Sequence, residues 1–240
     1  MAVKVAVRRN FDESPTAYDE YERLTGRFGA LTDRLDDAMR SHAGKPSKMI
    51  LDAGAGTGIS TRRLRARSAS VVALDISRSM LDENPGEHVV QGDFDRLPFE
   101  DNAFDAVAFT ASLFLTPTPK HAVGEARRVL RAGGVVGCVA PLGWTTEDGR
   151  DVFESLERES RSPASADSIE SALSESFGVA SGEWSFETTP DALRAFHAIP
   201  AMAARLYPRL DTDERIERAE KLLETVDGPL RERWRWFVGR

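Results

Sequence analysis

The chain has 240 residues, long enough for one α/β unit with its own core and a modest appendage, with 32 basic against 39 acidic side chains and a formal net charge of -7. That balance argues against nucleic-acid binding through bulk electrostatics, and no run approaches the roughly 18 apolar residues of a membrane span. A single cysteine, Cys138, rules out an internal disulfide or an all-cysteine zinc cluster. No apolar leader precedes residue 10, so a soluble cytoplasmic protein is the expectation.

In chain order, Val3, Val5 and Val7 alternate with Lys4 and Ala6, which predicts a short edge strand. Phe11, Tyr18, Tyr21, Leu24, Phe28, Leu31, Leu35 and Met39 then approach helical spacing, predicting one or two helices ahead of the sheet. From Met49 onward strands and helices alternate: strand 49–53, helix 59–66, strand 70–74, helix 77–84, strands 88–91 and 106–110, helix 119–131, then strand 135–140 after a stop at Gly133-Gly134. Strands apolar almost throughout and joined by helices indicate a mostly parallel sheet covered on both faces.

After Pro141 the pattern changes. A polar loop and a charged amphipathic helix fill 144–160, a helix 163–177 ends at Gly178, and a weak strand surrounds Trp184 and Phe186. Helices 191–207 and 213–226 follow, capped by Thr189 and Asp211, and the alternation of Trp234, Trp236 and Val238 gives a last strand, 231–238. No repeat or low-complexity linker interrupts the chain.

The densest information lies in Met49-Ile50-Leu51-Asp52-Ala53-Gly54-Ala55-Gly56-Thr57-Gly58, an apolar strand running into three alternating glycines. Such a turn admits a ligand without Cβ obstruction and leads into a helix whose first N–H groups lack partners. A plain structural turn, a dinucleotide site and an S-adenosylmethionine (SAM) site are the three readings. The dinucleotide pattern G-x-G-x-x-G would want glycine where Ile59 stands. An acidic residue followed by G-x-G-x-G, the SAM pattern, is met in register by Asp52, Gly54, Gly56 and Gly58. Asp75 ends the second strand about twenty residues on, where a carboxylate can accept from both ribose hydroxyls of either cofactor.

Further along, Gly92-Asp93-Phe94-Asp95-Arg96-Leu97-Pro98-Phe99 follows the third strand, and Glu125-Ala126-Arg127-Arg128-Val129-Leu130-Arg131-Ala132-Gly133-Gly134 follows the fourth. With these motifs the chain resembles the class I SAM-dependent methyltransferases, in particular the small-molecule subfamily that includes the ubiquinone and menaquinone biosynthesis enzymes. The resemblance runs from about Phe11 to Ala140. Arg131 and Ala132 replace the lysine and proline usual in the E-x-x-R-V-L-K-P-G-G element.

The resemblance implies a Rossmann-like, doubly wound seven-stranded α/β sheet with an antiparallel last strand, N-terminal helices, and a helical cap inserted before that strand. It divides one domain into a lid (10–43), a SAM-binding core (44–141), an acceptor cap (142–230) and the final strand (231–240). It implies SAM as cofactor, with Asp93 accepting from the adenine amino group, Phe94 at the ring edge, and Ile76 and Met80 among the cofactor residues. Ala53, Gly54, Thr110 and Ala111 are implied near the methionine end, with Tyr18 and Arg27 closing over it and Arg27 pairing with the cofactor carboxylate.

For a general base the chain offers four histidines. His42, His88 and His121 read as solvated, while His197, in a segment that should roof the acceptor pocket, is the candidate catalytic base. Thr110-Ala111-Ser112-Leu113-Phe114 stands where enzymes acting on exocyclic or amide nitrogens carry N/D-P-P-Y/F. Arg62, Arg63, Arg65 and Arg67 read as a solvated face rather than an RNA patch. Trp144, Trp184, Phe186, Phe196, Met202 and Tyr207 are candidates to line an acceptor pocket. The expected partner is a small organic acceptor, with neither nucleic acid nor metal. A non-catalytic SAM sensor and an NAD-dependent oxidoreductase are the alternatives.

Overall fold

A computed structural model of the chain describes residues 2–67, 70–154, 156 and 164–240. Three helices come first, α1 (Ala2–Asp12), α2 (Pro15–Thr25) and α3 (Arg27–Ala43). The core follows as β1 (Met49–Ala53), α4 (Ile59–Arg67), β2 (Ser70–Asp75), α5 (Arg78–Asp82), β3 (His88–Gln91), β4 (Phe104–Phe109), α6 (Pro119–Val129) and β5 (Leu130–Thr146). The remainder is α7 (Ala166–Ser174), β6 (Val179–Thr188), α8 (Pro190–Ala198), α9 (Pro200–Leu206), α10 (Thr212–Leu223) and β7 (Leu230–Gly239).

The strands form one seven-stranded sheet in the order β3-β2-β1-β4-β5-β7-β6. β1 to β5 pair in parallel, whereas β7 runs antiparallel to both β5 and β6. The order steps outward from β1 in one direction and from β4 in the other, so right-handed crossovers put α4 and α6 on opposite faces. A crevice opens where that order reverses, beyond the carboxyl ends of β1 and β4. The Rossmann-like sheet with an antiparallel last strand is as the sequence implies.

Three elements differ from expectation. The Val3 to Val7 segment is helix, not strand: Lys4, Val7 and Phe11 turn one face inward, and Val3 and Val5 are exposed on the other. A period of two over so few residues does not separate strand from helix. α6 ends at Val129, and Gly133-Gly134 lies in a bulge of β5, where the register jumps from Phe104 opposite Leu130 to Ala106 opposite Val135. Arg131, expected to close the helix, instead turns its guanidinium onto Asp105 at 2.9 Å. Pro200 divides the expected helix 191–207 into α8 and α9, because it cannot donate into a continuing helix. The caps Thr189 and Asp211 are present, accepting from Ala192 and Glu214. The amphipathic helix expected before Ser160 lies largely outside the described residues, and of those described Asp151 bridges to Thr145 while Val152 and Phe153 are turn.

Three of the four arginines of α4 are drawn into pairs with carboxylates: Arg63 with Asp33 at 3.4 Å, Arg67 with Asp36 and Asp37, and Arg65 with Glu87. Cys138 is fully buried in β5, and burial pushes its thiol well above the usual range. No described helix is long and apolar enough to cross a membrane.

Arg27 has a structural partner. Its Nε lies 2.5 Å from Glu232 Oε2, and its guanidinium stacks 3.9 Å from the Phe186 ring centroid. Trp234 Nε1 donates to the other Glu232 oxygen at 2.9 Å. Both charges are buried, so α3 is tied to β7 by a desolvated ion pair, and losing one partner strands the other. Replacing Arg27 with Met is expected to cost about 3–5 kcal/mol in urea unfolding, most of which Arg27→Met/Glu232→Gln should recover. Equal losses in the single and double variants would show that the pair does not govern this contact.

Candidate cofactor and acceptor site

The β1–α4 turn is shaped by positive φ at all three glycines, +83° at Gly54, +53° at Gly56 and +87° at Gly58. Gly54 has a second constraint: a Cβ there would stand 2.4 Å from Ser112 Cβ, and Ser112 Oγ donates to the Ala53 carbonyl at 2.6 Å. Four of the turn's N–H groups have acceptors within the fold. Gly54 and Ala55 both donate to the Leu74 carbonyl (2.7 and 3.0 Å), Gly56 donates to Asp75 Oδ2 (2.9 Å) and Gly58 to the Ala55 carbonyl (3.0 Å). Gly54 and Gly56 line the cleft, so the turn presents it with backbone free of Cβ atoms.

Asp75 sits at the end of β2 on the cleft. Its Oδ2 is held by Gly56 N–H and its Oδ1 by Ser77 N–H, each at 2.9 Å, which leaves lone pairs on both oxygens for a diol. Burial raises its pKa, against the lowering effect of those backbone donors. Ile76, Met80 and Phe94 line the same end, with Phe94 edge-on to Phe109 at 5.7 Å. Asp93 lies there too, but both its oxygens are 2.6 Å from Lys4 Nζ.

The E-x-x-R element explains how this end is held. Arg128 pairs with Glu125 and Asp101 and donates to the Leu97 and Phe99 carbonyls, while Glu125 accepts from Leu97 N–H. The loop carrying Asp93 is thereby pinned to α6. Asp95 adds a second tie by accepting from Thr116 and Thr118 Oγ1.

The cleft holds about 770 Å³ of empty space, counting that open to solvent. Its other end is apolar, walled by Phe28, Phe114, Leu115, Phe196, Met202 and Trp234. Tyr18 lies on the cleft, stacked on Phe28 with centroids 4.5 Å apart, and burial, with Glu22 and Asp75 adding to it, pushes its phenol well above the usual range. Ala111 takes a positive φ of 56° to bring the chain against the turn, and Ser112 follows it on the cleft wall.

Five residues expected at the cofactor do not line the cleft. Arg27 is held by Glu232, Gly58 packs against Asn84 and Pro85, and Ala53 and Thr110 are buried in the strand ends. Asp52 points away from the cleft into the start of α4, where its Oδ2 accepts from Ser60 and Thr61 Oγ, each at 2.7 Å. Its acid pattern is therefore structural: it fastens the helix behind the turn.

His197 lines a second cavity, which shares Phe196, Met202 and Trp234 with the first as a dividing wall. Its Nδ1 lies 2.9 Å from the Leu193 carbonyl, within its own helix. Of the aromatic candidates, Trp144 lines the second cavity, while Trp184 and Phe186 pack with Trp236, Arg34 and Arg27. Sequence reading missed Lys4 and Val7, hidden by the strand assignment, Phe11, read as helical but not placed at the cleft, and Ser112, whose closeness to Gly54 has no sequence signal. No cluster able to hold a metal ion occurs among the described residues.

Residues 51–138 match the family described as methyltransferase domain. A demethylmenaquinone methyltransferase of Clavibacter sepedonicus is 36% identical over 133 residues, 52% of this chain and 53% of that protein. A malonyl-[acyl-carrier protein] O-methyltransferase of Pectobacterium atrosepticum is 31% identical over 137 residues, 55% of this chain and 52% of that protein. The chain thus spans about half the length of these curated relatives. Among solved structures, a putative methyltransferase from Bacillus halodurans superposes with TM-score 0.58 at 20% identity, covering 85% of this chain and 97% of that one. A [4+2]-cyclase superposes with TM-score 0.53, also at 20% identity, covering 87% and 81%. Both likenesses concern the fold alone.

Burial pushes the Asp52 carboxyl from the usual 3.8 to about 6, despite the Ser60 and Thr61 hydroxyls. The folded chain then keeps a proton that the unfolded chain releases, so this group's contribution to stability falls as pH rises from about 4 to about 6. Relative to Asp52→Asn, the native protein should lose roughly 2–3 kcal/mol across that window in denaturant titrations. A stability difference between the two that does not vary with pH would overturn the assignment.

Proposed function

We propose, on the match of residues 51–138 to the methyltransferase domain family, that the chain transfers a methyl group from SAM to a small, largely apolar organic acceptor. The observation that carries this reading is the two-ended cleft, with two carboxylates and a glycine wall at one end and aromatic and aliphatic side chains at the other. Ile59, standing where a dinucleotide turn carries its third glycine, favours SAM over a dinucleotide. The glycines fit the group, since a Cβ on Gly56 would come within 3.0 Å of Met80 Cε and narrow the space.

When bound, SAM supplies an electrophilic methyl on a sulfonium. The protein's part is placement. Asp75 accepts from the ribose hydroxyls, Asp93 from the adenine amino group, and Ile76, Met80 and Phe94 pack around the base. Tyr18, Gly54 and Ala111 bound the methionine end. Phe114, Phe196, Met202 and Trp234 hold the acceptor and exclude water, so that orientation supplies most of the rate. The Tyr18 phenol, with its raised pKa, stays protonated and donates rather than acting as a base. His197 stands behind the Phe196, Met202 and Trp234 wall, so we assign it no proton transfer.

In this reading residues 10–43 serve as a lid and 142–230 as the acceptor cap, and the single, buried thiol accords with a cytoplasmic setting. Nucleic acid is not proposed as acceptor, because acidic neighbours neutralise three of the α4 arginines.

Calorimetry with S-adenosylhomocysteine, SAM and NAD tests the cofactor, and turnover of methyl-labelled SAM in metabolite fractions tests transfer. Binding of the two sulfur nucleosides with none of NAD is expected; preference for NAD would overturn the proposal. Asp75→Ala should weaken S-adenosylhomocysteine by about 10- to 100-fold, since the ribose loses a charged acceptor. Unchanged affinity in a folded variant would remove Asp75 from the ribose.

A further inference from the structure

α1 lies across the cleft as a strap with two unlike ends. Its carboxyl end is fixed: Ser77 Oγ donates to Asp12 at 2.6 Å, and Arg215 of α10 donates to Asn10 at 2.9 Å. Just beyond it, Ala201 N–H of α9 donates to Ser14 Oγ at 3.0 Å. These contacts tie it both to α5 and to the cap helices. Its amino-terminal half reaches the nucleoside end through Lys4, whose Nζ is 2.6 Å from both Asp93 oxygens and 2.6 Å from Asp95 Oδ2. Val7 and Phe11, on the same helix face, complete the cleft wall between the two ends.

Asp93 Oδ1 also accepts from Asp95 N–H at 2.9 Å. With Lys4 across both oxygens, Oδ2 keeps an acceptor position for a ligand's amino hydrogen. Lys4 and a bound adenine are therefore compatible on one carboxylate. Yet a ligand reaching that carboxylate must pass beneath the helix that Lys4 fastens. The join between α1 and α2, at Glu13-Ser14 ahead of Pro15, is where such a helix would pivot.

We propose that α1 is a strap over the cofactor and Lys4 its latch: the ammonium held between Asp93 and Asp95 keeps the strap shut, and cofactor enters and leaves only when that contact opens. The proposal rests on the cofactor reading above. It makes Lys4 a positioning residue, acting through Asp93 and the helix rather than on the methyl group. Because the fixed end of α1 bears on α9 and α10, the strap also connects the nucleoside end to the elements that wall the acceptor end.

The test is stopped-flow association and dissociation of S-adenosylhomocysteine, followed by tryptophan fluorescence, since Trp234 lines the cleft. In Lys4→Met both rate constants should rise together, by roughly 5- to 10-fold, while the dissociation constant changes less. Raising salt from about 50 to about 500 mM should accelerate exchange in the native protein but not in Lys4→Met. Asp95→Asn, which leaves Asp93 untouched, should give an intermediate acceleration, Lys4→Arg should restore slow exchange, and Arg9→Ala on the exposed face should exchange as the native protein does. Faster dissociation with unchanged association would make Lys4 a direct ligand contact and overturn the strap. Unchanged rates in both Lys4→Met and Asp95→Asn would overturn the latch while leaving the cofactor site standing. Failure of the native protein to bind S-adenosylhomocysteine would overturn the cofactor reading and the strap with it.

Discussion

The architecture depends on the contact between Gly54 and Ser112. Neighbouring strands β1 and β4 end side by side at the reversal of strand order, and the chain leaving each must turn away without filling the crevice. With a Cβ at Gly54 excluded by Ser112 Cβ at 2.4 Å, the two turns touch backbone to side chain, and Ser112 Oγ closes the contact on the Ala53 carbonyl. On the other side the Leu74 carbonyl accepts from both Gly54 and Ala55. The turn is thus locked between β2 and β4, and its free surface is glycine Cα and backbone plane.

Much of the core was legible in the sequence because its strands are buried on both faces. Near-continuous apolar runs such as 50–53 and 106–109, separated by helical segments, admit little but a parallel sheet. The glycine turn, Asp75 and Asp93 were legible for another reason: each fills a backbone role or a polar position that few residue types satisfy. Asp52 shows the limit of that logic. Its place in the motif was plain from sequence, yet its carboxylate faces α4, where the Ser60 and Thr61 hydroxyls donate to it.

What was not legible depends on pairs distant in sequence. Arg27 reads equally as a solvated helix residue or an anion ligand until Glu232, 205 positions away, closes on it. α1 was misread because Val3, Val5 and Val7 alternate over a stretch too short to fix a period, and because Lys4 makes its contacts 89 and more positions downstream. The bulge of β5 escaped for a similar reason, since Gly133-Gly134 is a helix stop by local grammar but a strand irregularity once Leu130 pairs with Phe104.

The two ends of the cleft are built by different rules, and under the proposed function this bears on how acceptor choice is encoded. The end proposed for the nucleoside is made of backbone and short loops held by internal hydrogen bonds, where most substitutions disturb the turn itself. The apolar end takes Phe196 from α8, Met202 from α9 and Trp234 from β7. Pro200 breaks the helix between the first two, and that break changes the chain's direction so that residues six positions apart both reach one wall. Such side chains can change size without altering any hydrogen bond of the glycine turn. Trp234 is the exception, since its Nε1 donates to Glu232 and so joins the wall to the buried ion pair with Arg27. Variation in acceptor shape is therefore freest at Phe196 and Met202 and most constrained at Trp234, where a change in pocket size also alters how α3 is held against the sheet.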